Sequence, residues 1–122
     1  MAQLIKLKTH RDTRGALTVM QDEIPFAIRR VYYIYRADHH TRGGHRHHKA
    51  VQVLACLNGS CEIYVHDGKT ERTWLLNDPG QALLVEPADW HHMKFGDNAV
   101  LLCLASEPYD PADYIDQPYP PT

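Results

Sequence analysis

The sequence lacks several features that would place it in other classes of protein. It has no excess of basic residues, since 13 Lys and Arg stand against 15 Asp and Glu. This balance argues against a general binder of nucleic acid or of membrane surfaces. No apolar run approaches the ~20 residues that span a bilayer, and the first residues lack the apolar core of a signal peptide. The three cysteines show no CxxC spacing, so we expect buried, reduced thiols and a cytoplasmic location.

Helical periodicity is also nearly absent, and short segments of strand type fill the chain. The predicted strands are residues 3–8, 16–21, 26–35, 45–57, 60–66, 69–76, 81–86, 90–95 and 99–105. Strands at this spacing, separated by turn signals such as Asn58-Gly59, indicate an all-β sandwich or barrel. Only residues 110–116 suit a helical turn, with Asp110 before Pro111 as its N-cap. The length suits one domain, residues 1–122, with a short C-terminal extension from about residue 107.

Histidine is the residue type that stands out, with nine in the chain and a dense group before the fourth long strand segment. Side chains of a strand alternate between faces, so His45 and His47 point the same way. If the face of Val53 is the inner one, both histidines point inward and Gln52 lies on the opposite face, unless a bulge resets the register. The alternative is that this segment is a solvent-exposed loop whose histidines have no function. If the imidazoles point inward, a functional role is favoured over the exposed loop, because buried polar groups need partners and histidine titrates near neutral pH.

The spacing of His45, His47, Gln52 and Gly59 resembles the first motif of the cupin superfamily. A second stretch, residues 80–93, resembles the second motif and contains His92. These four side chains, His45, His47, Gln52 and His92, would form the ligand set of a metal-dependent cupin such as a dioxygenase. A neutral amide is, however, a poor ligand for a divalent ion compared with a carboxylate.

A closer similarity covers nearly the whole chain. The sequence resembles the small sugar-nucleotide 3,4-ketoisomerases of the cupin superfamily, the WxcM-like group. The matching segments, in order, are Asp12-Thr13-Arg14-Gly15-Ala16-Leu17, Pro25-Phe26, Arg30-Val31-Tyr32-Tyr33-Ile34-Tyr35, Arg42-Gly43-Gly44-His45-Arg46-His47, Gln52-Val53-Leu54, Asn58-Gly59-Ser60-Cys61, Asp67-Gly68, Trp90, Leu104-Ala105-Ser106, Tyr109-Asp110 and Tyr114-Ile115.

The resemblance implies a cupin jelly-roll β-barrel that acts on a thymidine-diphosphate-linked 4-keto-6-deoxyglucose. It implies a homodimer with exchanged N-terminal strands, and two inward histidines that act without a metal or another cofactor. It also implies that the 3-keto product feeds an aminotransferase in the assembly of surface polysaccharide such as lipopolysaccharide O-antigen.

Moving a ketone from carbon 4 to carbon 3 requires bases whose pKa lies near the working pH. It also requires a donor aimed at the oxygen where negative charge develops. We therefore expect His47 to be the principal base, His45 its partner, and Tyr35 the group that positions or protonates an oxygen. Arg14 and Arg42 are expected to hold the diphosphate, because a guanidinium matches phosphate geometry.

Four further side chains are expected to contact the substrate, namely Tyr33, Gln52, Trp90 and His92. Two rival functions remain. One is the metal-dependent cupin described above, and the other is a sugar-binding cupin without catalytic activity.

Overall fold

The computed structural model describes residues 1–121, which form β-strands almost throughout. The strands are β1 (Gln3–Lys6), β2 (Lys8–Asp12), β3 (Gly15–Val19), β4 (Arg30–Ile34), β5 (Thr41–His47), β6 (Gln52–Asn58), β7 (Cys61–His66), β8 (Glu71–Leu76), β9 (Gln81–Val85), β10 (Trp90–Phe95), β11 (Val100–Ala105) and β12 (Tyr114–Ile115). One turn of 3₁₀ helix spans Pro111–Asp113, and the Asp110 side chain caps it by accepting from the Ala112 N–H, as predicted. Among the described residues, no helix is long and apolar enough to cross a membrane.

The strands differ from the predicted ones at several places. The first predicted strand ends at Lys6, and most of β2 lies beyond it, while the predicted strand over residues 26–35 is reduced to β4. Residues 41–44, which lie outside the predicted strands, belong to one, because β5 begins at Thr41. The predicted strand over residues 45–57 is interrupted at residues 48–51, so β5 and β6 are separate. This interruption allows β5 and β6 to join different sheets.

Two five-stranded sheets enclose the barrel. Their strand orders are β1-β9-β6-β11-β4 and β12-β5-β10-β7-β8, with antiparallel pairing throughout. Strands β2 and β3 form a separate two-stranded hairpin. Two facing antiparallel sheets with long-range pairing are the architecture of a jelly roll.

The barrel interior is apolar, and a second apolar layer covers the outside of one sheet. Leu54, Ile63, Phe95 and Leu101 are completely buried or nearly so in the interior. On the outer face of the sheet that contains β6, Val53 packs with residues of the segment that follows β3. Strand β6 is therefore buried on both faces, which explains its nearly continuous apolar sequence. The assignment of residues 1–122 to one domain with a C-terminal extension from about residue 107 stays a prediction.

Candidate active site

His45 and His47 both point into one end of the barrel, as expected. Their ring centres lie 5.2 Å apart with the planes nearly perpendicular. His47 is buried and His45 is partly buried. The expected position of Gln52 is wrong: its face of β6, which it shares with Leu54, looks into the barrel, while Val53 faces the outer apolar layer. The break between β5 and β6 resets the alternation, so Gln52 joins the histidines.

A bulge in β5 sets the direction of His45. The pairing of β5 with β10 shifts between His45, opposite His91, and Gly43, opposite His92. Gly43 and Gly44 both have positive φ, 88° and 84°. A Cβ atom on Gly43 would lie 3.1 Å from the His91 carbonyl oxygen and 3.0 Å from Met93 Sδ. Only glycine fits there without displacing β10, so the two glycines before His45 have a structural cause.

The third histidine of the pocket is His91, not His92. His91 is completely buried, with its ring centre 5.3 Å from that of His45. Its Nδ1 lies 3.0 Å from the Asp89 carbonyl oxygen, so this nitrogen carries the proton. His92 points to the outside of the sheet and stacks on Tyr64 at 4.9 Å. The expected substrate contact of His92 is therefore not formed within this chain, because the alternation along β10 turns His91 and Met93 inward.

His45 lines a pocket of about 310 Å³, and His47 and His91 lie next to His45 without lining it. The pocket is lined by Arg30, Tyr32, Ile34, Arg42, Gly43, His45, Met93, Tyr109 and Tyr114. The predicted residue Arg42 is among them. The volume lies in the range of small-molecule sites, and two guanidinium groups face an otherwise aromatic and aliphatic wall. The pocket therefore suits a small anionic ligand.

Tyr32 occupies the position in which Tyr35 was expected. The Tyr32 hydroxyl accepts a hydrogen bond of 2.8 Å from Gln52 Nε2, and its ring lines the pocket. Tyr33 and Tyr35 stack on each other at 5.8 Å on the opposite face of the chain and are 62% and 55% exposed. The predicted placement of both beside the histidines is wrong, because Tyr33 pairs with Leu102 of the outer apolar layer while Tyr32 pairs with the core residue Cys103.

Burial keeps the imidazoles of the pocket neutral. Burial, together with the neighbouring His47, lowers the pKa of His45 to about 4. Burial lowers the pKa of His91 to about 4 as well, against the opposing effect of the Asp89 carbonyl. Burial also lowers the pKa of His47, although its bond to Asp113 works in the other direction. Uncharged rings at neutral pH can accept protons, but a pKa of about 4 lies well below that of an efficient general base, so His47, whose carboxylate partner opposes the effect of burial, is the stronger candidate.

The segment after β11 closes the end of the barrel. The Tyr114 ring centre lies 4.8 Å from that of His45 and 4.6 Å from that of His47. Asp113 Oδ2 lies 3.0 Å from His47 Nδ1. The segment is held in place by the pairing of Tyr114 with His47 and by the Trp90 Nε1 bond to the Asp116 carbonyl oxygen. The C-terminal residues therefore complete the pocket.

Two predicted contacts lie away from the pocket within this chain. Arg14 sits at the tip of the β2–β3 hairpin, is 88% exposed, and pairs with Asp12 at 2.6 Å. Trp90 shares the outer face of β10 with His92, where its ring contacts those of Tyr64 and His92. Neither side chain lines the pocket described above. Within one chain, the predicted substrate contacts of Arg14 and Trp90 are therefore not formed.

The ligand set of the metal-dependent alternative is not brought together. His45, His47 and Gln52 face the interior, but His92 lies on the outside of the sheet. Within residues 1–121, no group of three His, Cys, Asp or Glu side chains has an arrangement suited to holding a metal ion.

Several pocket residues were missed from the sequence. The alternation along the strand predicts that Tyr32 and Tyr35 lie on opposite faces. It does not predict which of the two faces is turned toward the pocket. For His91 and His92, the sequence likewise predicts that one points inward and the other outward, but not which. Arg30, Asp113 and Tyr114 enter the site through contacts between distant segments, for which the pattern along the chain provides no signal.

This fold and this pocket define a cupin jelly-roll protein with a histidine-lined ligand site. Residues 1–119 match the family described as FdtA: WxcM-like, C-terminal, and the chain belongs to this family. A curated relative is the TDP-4-oxo-6-deoxy-alpha-D-glucose-3,4-oxoisomerase of Aneurinibacillus thermoaerophilus, 43% identical over 119 residues, or 94% of this chain and 86% of the relative.

Solved structures agree with the family assignment. The sugar 3,4-ketoisomerase QdtA of Thermoanaerobacterium thermosaccharolyticum, in complex with TDP, superposes with a TM-score of 0.91 at 46% identity and covers 95% of this chain and 88% of its own. The TDP-quinovose 3,4-ketoisomerase WlaRB of Campylobacter jejuni has a TM-score of 0.91 at 41% identity, over 95% and 92% of the two chains. These relatives confirm the predicted cupin fold, the predicted family and the predicted class of enzyme, an isomerase that interconverts keto and hydroxyl groups.

Proposed function

We propose that this protein converts dTDP-4-keto-6-deoxy-D-glucose into a dTDP-linked 3-keto-6-deoxyhexose by proton transfer between histidines and the sugar. The observation that carries the proposal is the pair of uncharged imidazoles, His45 and His47, whose ring centres lie 5.2 Å apart beside a pocket that His45 lines and that bears two guanidinium groups. Relatives that are 41–46% identical are named for activity on sugars linked to TDP or for a complex with TDP.

The reaction needs no external oxidant. A base removes the proton from carbon 3, and the electron pair moves to give an enediolate spanning carbons 3 and 4. Carbon 4 then takes up a proton, while the hydroxyl proton moves from the oxygen on carbon 3 to the oxygen on carbon 4. One carbon is oxidised and its neighbour is reduced by the same two electrons, so atoms and charge balance.

The roles follow from the positions of the side chains. His47 is the proposed principal base and His45, which faces the pocket directly, its partner. His47 adjoins the pocket residue Tyr114, whose ring centre lies 4.6 Å from its own. Tyr32, in place of Tyr35, is proposed to act on a sugar oxygen, because its ring lines the pocket and the bond from Gln52 holds its hydroxyl in place.

The diphosphate is proposed to lie against Arg42 and Arg30 at the pocket wall. A homodimer with exchanged N-terminal strands would add Arg14 from the other protomer. The hairpin that carries Arg14 supports this, because a two-stranded ribbon is marginally stable alone and Leu17 on it is 59% exposed.

The pathway and the location stay proposals. The 3-keto sugar is a substrate for transamination, so we propose a place before an aminotransferase in the synthesis of deoxyamino sugars for lipopolysaccharide O-antigen, in the cytoplasm.

The direct test is incubation with dTDP-4-keto-6-deoxyglucose in D₂O, followed by NMR. We expect a 3-keto product that carries deuterium on carbon 4, because the proton returned to that carbon exchanges with solvent. Binding of the sugar nucleotide without deuterium incorporation or product would favour the sugar-binding cupin. A metal content of one ion per chain that disappears together with activity on chelation would favour the metal-dependent cupin.

A further inference from the structure

A carboxylate outside the barrel strands fixes the position of His47. Asp113, the last residue of the 3₁₀ turn, has Oδ2 at 3.0 Å from His47 Nδ1, with the side chains 9% and 1% exposed. The same carboxylate accepts the N–H of Lys49 at 2.8 Å and the N–H of Ala50 at 3.2 Å. The Asp113 carbonyl oxygen accepts the N–H of His48 at 3.0 Å. Four contacts therefore tie this residue to the end of β5 and to the break that follows it.

The bond between Asp113 and His47 determines which ring nitrogen carries the proton. Burial opposes ionisation of Asp113, but the N–H groups of Lys49 and Ala50, together with His47, outweigh it and hold its pKa below the usual value. An ionised carboxylate only accepts, so Nδ1 must donate. A neutral imidazole has a single N–H, which leaves Nε2 with a free lone pair. Nε2 is buried and has no hydrogen-bond partner within residues 1–121.

We propose that Asp113 is the positioning residue of the reaction: it holds His47 with its proton on Nδ1 and Nε2 free to receive a proton, and it stabilises the imidazolium that then forms. This inference rests on the proposed function for its kinetic part, whereas the tautomer is a property of the protein alone. Because Nε2 has no partner among residues 1–121, no group of the chain competes for its lone pair.

Two variants separate the effect of the negative charge of Asp113 from its effect on the orientation of the His47 ring. In Asp113→Asn the amide oxygen can still accept from His47 Nδ1 and from the Ala50 N–H, but the negative charge and the acceptor for the Lys49 N–H are lost. In Asp113→Ala the acceptor is lost as well, so both tautomers of His47 are expected. We expect kcat to fall by about tenfold or more in the first variant and about a hundredfold or more in the second, with KM changed little.

The pH profile distinguishes positioning from a merely structural role. Asp113 raises the pKa of His47 against the effect of burial, so its loss should move the acid limb of kcat/KM to lower pH. The titratable and charged groups that face His47 are Asp113 from the 3₁₀ turn, His45 from β5, His91 from β10, Tyr114 from β12 and Arg30 from β4. Only Asp113 is changed in these variants, so a shift of the limb reports its charge.

Asp110→Asn is the matched control. It removes one carboxylate from the same segment and leaves a residue that also caps well. We expect an unchanged pH profile and unchanged kcat for this variant.

The deciding measurement is ¹⁵N NMR of histidine-labelled protein, with the His47 signals identified by their loss in His47→Ala. We expect the wild-type ring protonated on Nδ1 at neutral pH, and mixed tautomers in Asp113→Ala. A proton on Nε2 in the wild type, or Asp113 variants with wild-type kcat and pH profile, would overturn the inference. If the wild type carries the expected tautomer but does not isomerise the sugar, the proposed function fails and the assignment of the tautomer stands.

Discussion

Individual side chains of the pocket combine burial with a free proton acceptor. An unperturbed imidazole is mostly uncharged at pH 7 and becomes charged below pH ~6.5. Burial lowers the pKa of His45 and of His91 to about 4, so both stay uncharged well into the acid range. His91 is fixed by the Asp89 carbonyl oxygen, whereas His45 has contact with the open pocket. The buried ring thus supports the wall of the site and the accessible ring can meet a ligand.

Replacing the histidines tests the proposed bases. We expect His47→Ala and His45→Ala each to lower turnover by roughly a hundredfold or more, since a general base contributes about that much. His48→Ala is the matched control, because this neighbour is exposed and is expected to leave turnover unchanged. Steady-state rates and a thermal melt of each variant would be measured. Near-normal turnover in His47→Ala, with the fold intact, would show that His47 is not the principal base.

At the scale of single elements, the direction of a strand's side chains decides which residues can function. Strand β4 turns Tyr32 into the pocket, Tyr35 directly after its end points out of it, and the bulge at Gly43 and Gly44 turns His45 inward. Both features depend on register rather than on residue type. A shift of one residue in β4 would exchange the two tyrosine faces.

Removing the hydroxyl group of Tyr32 in β4, or that of Tyr35 directly after it, tests which side chain acts in the site. We expect Tyr32→Phe to lower kcat by about tenfold or more, because the proposed donor to a sugar oxygen is lost. Tyr35→Phe keeps the ring and removes an exposed hydroxyl, so its kcat should equal that of the wild type. The comparison uses kcat and KM for both variants under the same conditions. The reverse result would place the function on Tyr35 and contradict the assignment to Tyr32.

On the scale of the whole molecule, the β2–β3 hairpin raises the question of assembly. Within residues 1–121 it pairs with no other strand, and it carries both Arg14 and the exposed Leu17. A second copy of the chain would cover the hairpin and bring Arg14 to a pocket that already holds Arg42. The proposed dimer therefore has a consequence for binding as well as for stability.

Mixed dimers test whether Arg14 acts on the other protomer. Arg14→Ala alone should raise KM more than it lowers kcat, if the arginine holds the diphosphate equally throughout the reaction. A dimer of one Arg14→Ala chain and one His47→Ala chain should recover about half of the wild-type activity at low substrate concentration, because one pocket is then intact. The matched pair of Arg42→Ala with His47→Ala should show no recovery, since both side chains belong to the site of one chain: Arg42 lines the pocket and His47 adjoins the pocket residue His45. No recovery in the first pair, or a monomer by light scattering at micromolar concentration, would contradict the exchange.

The sequence by itself determined the class of fold, the family and the central pair of histidines. Alternating apolar residues and turn dipeptides specify strands locally, and two histidines two residues apart in one strand necessarily share a face. The N-cap at Asp110 is equally local, and it too was predicted correctly.

Only the tertiary structure decided which face became the interior and which distant segments meet there. The alternation of side chains along a strand shows which residues share a face, but it does not show which face is the interior. In β6 even burial does not show it, because both faces are buried. Tyr32 in place of Tyr35 and His91 in place of His92 both follow from this ambiguity. The contact between Asp113 and His47 joins residues 66 apart in the chain, so it depends on how the C-terminal segment folds over the end of the barrel.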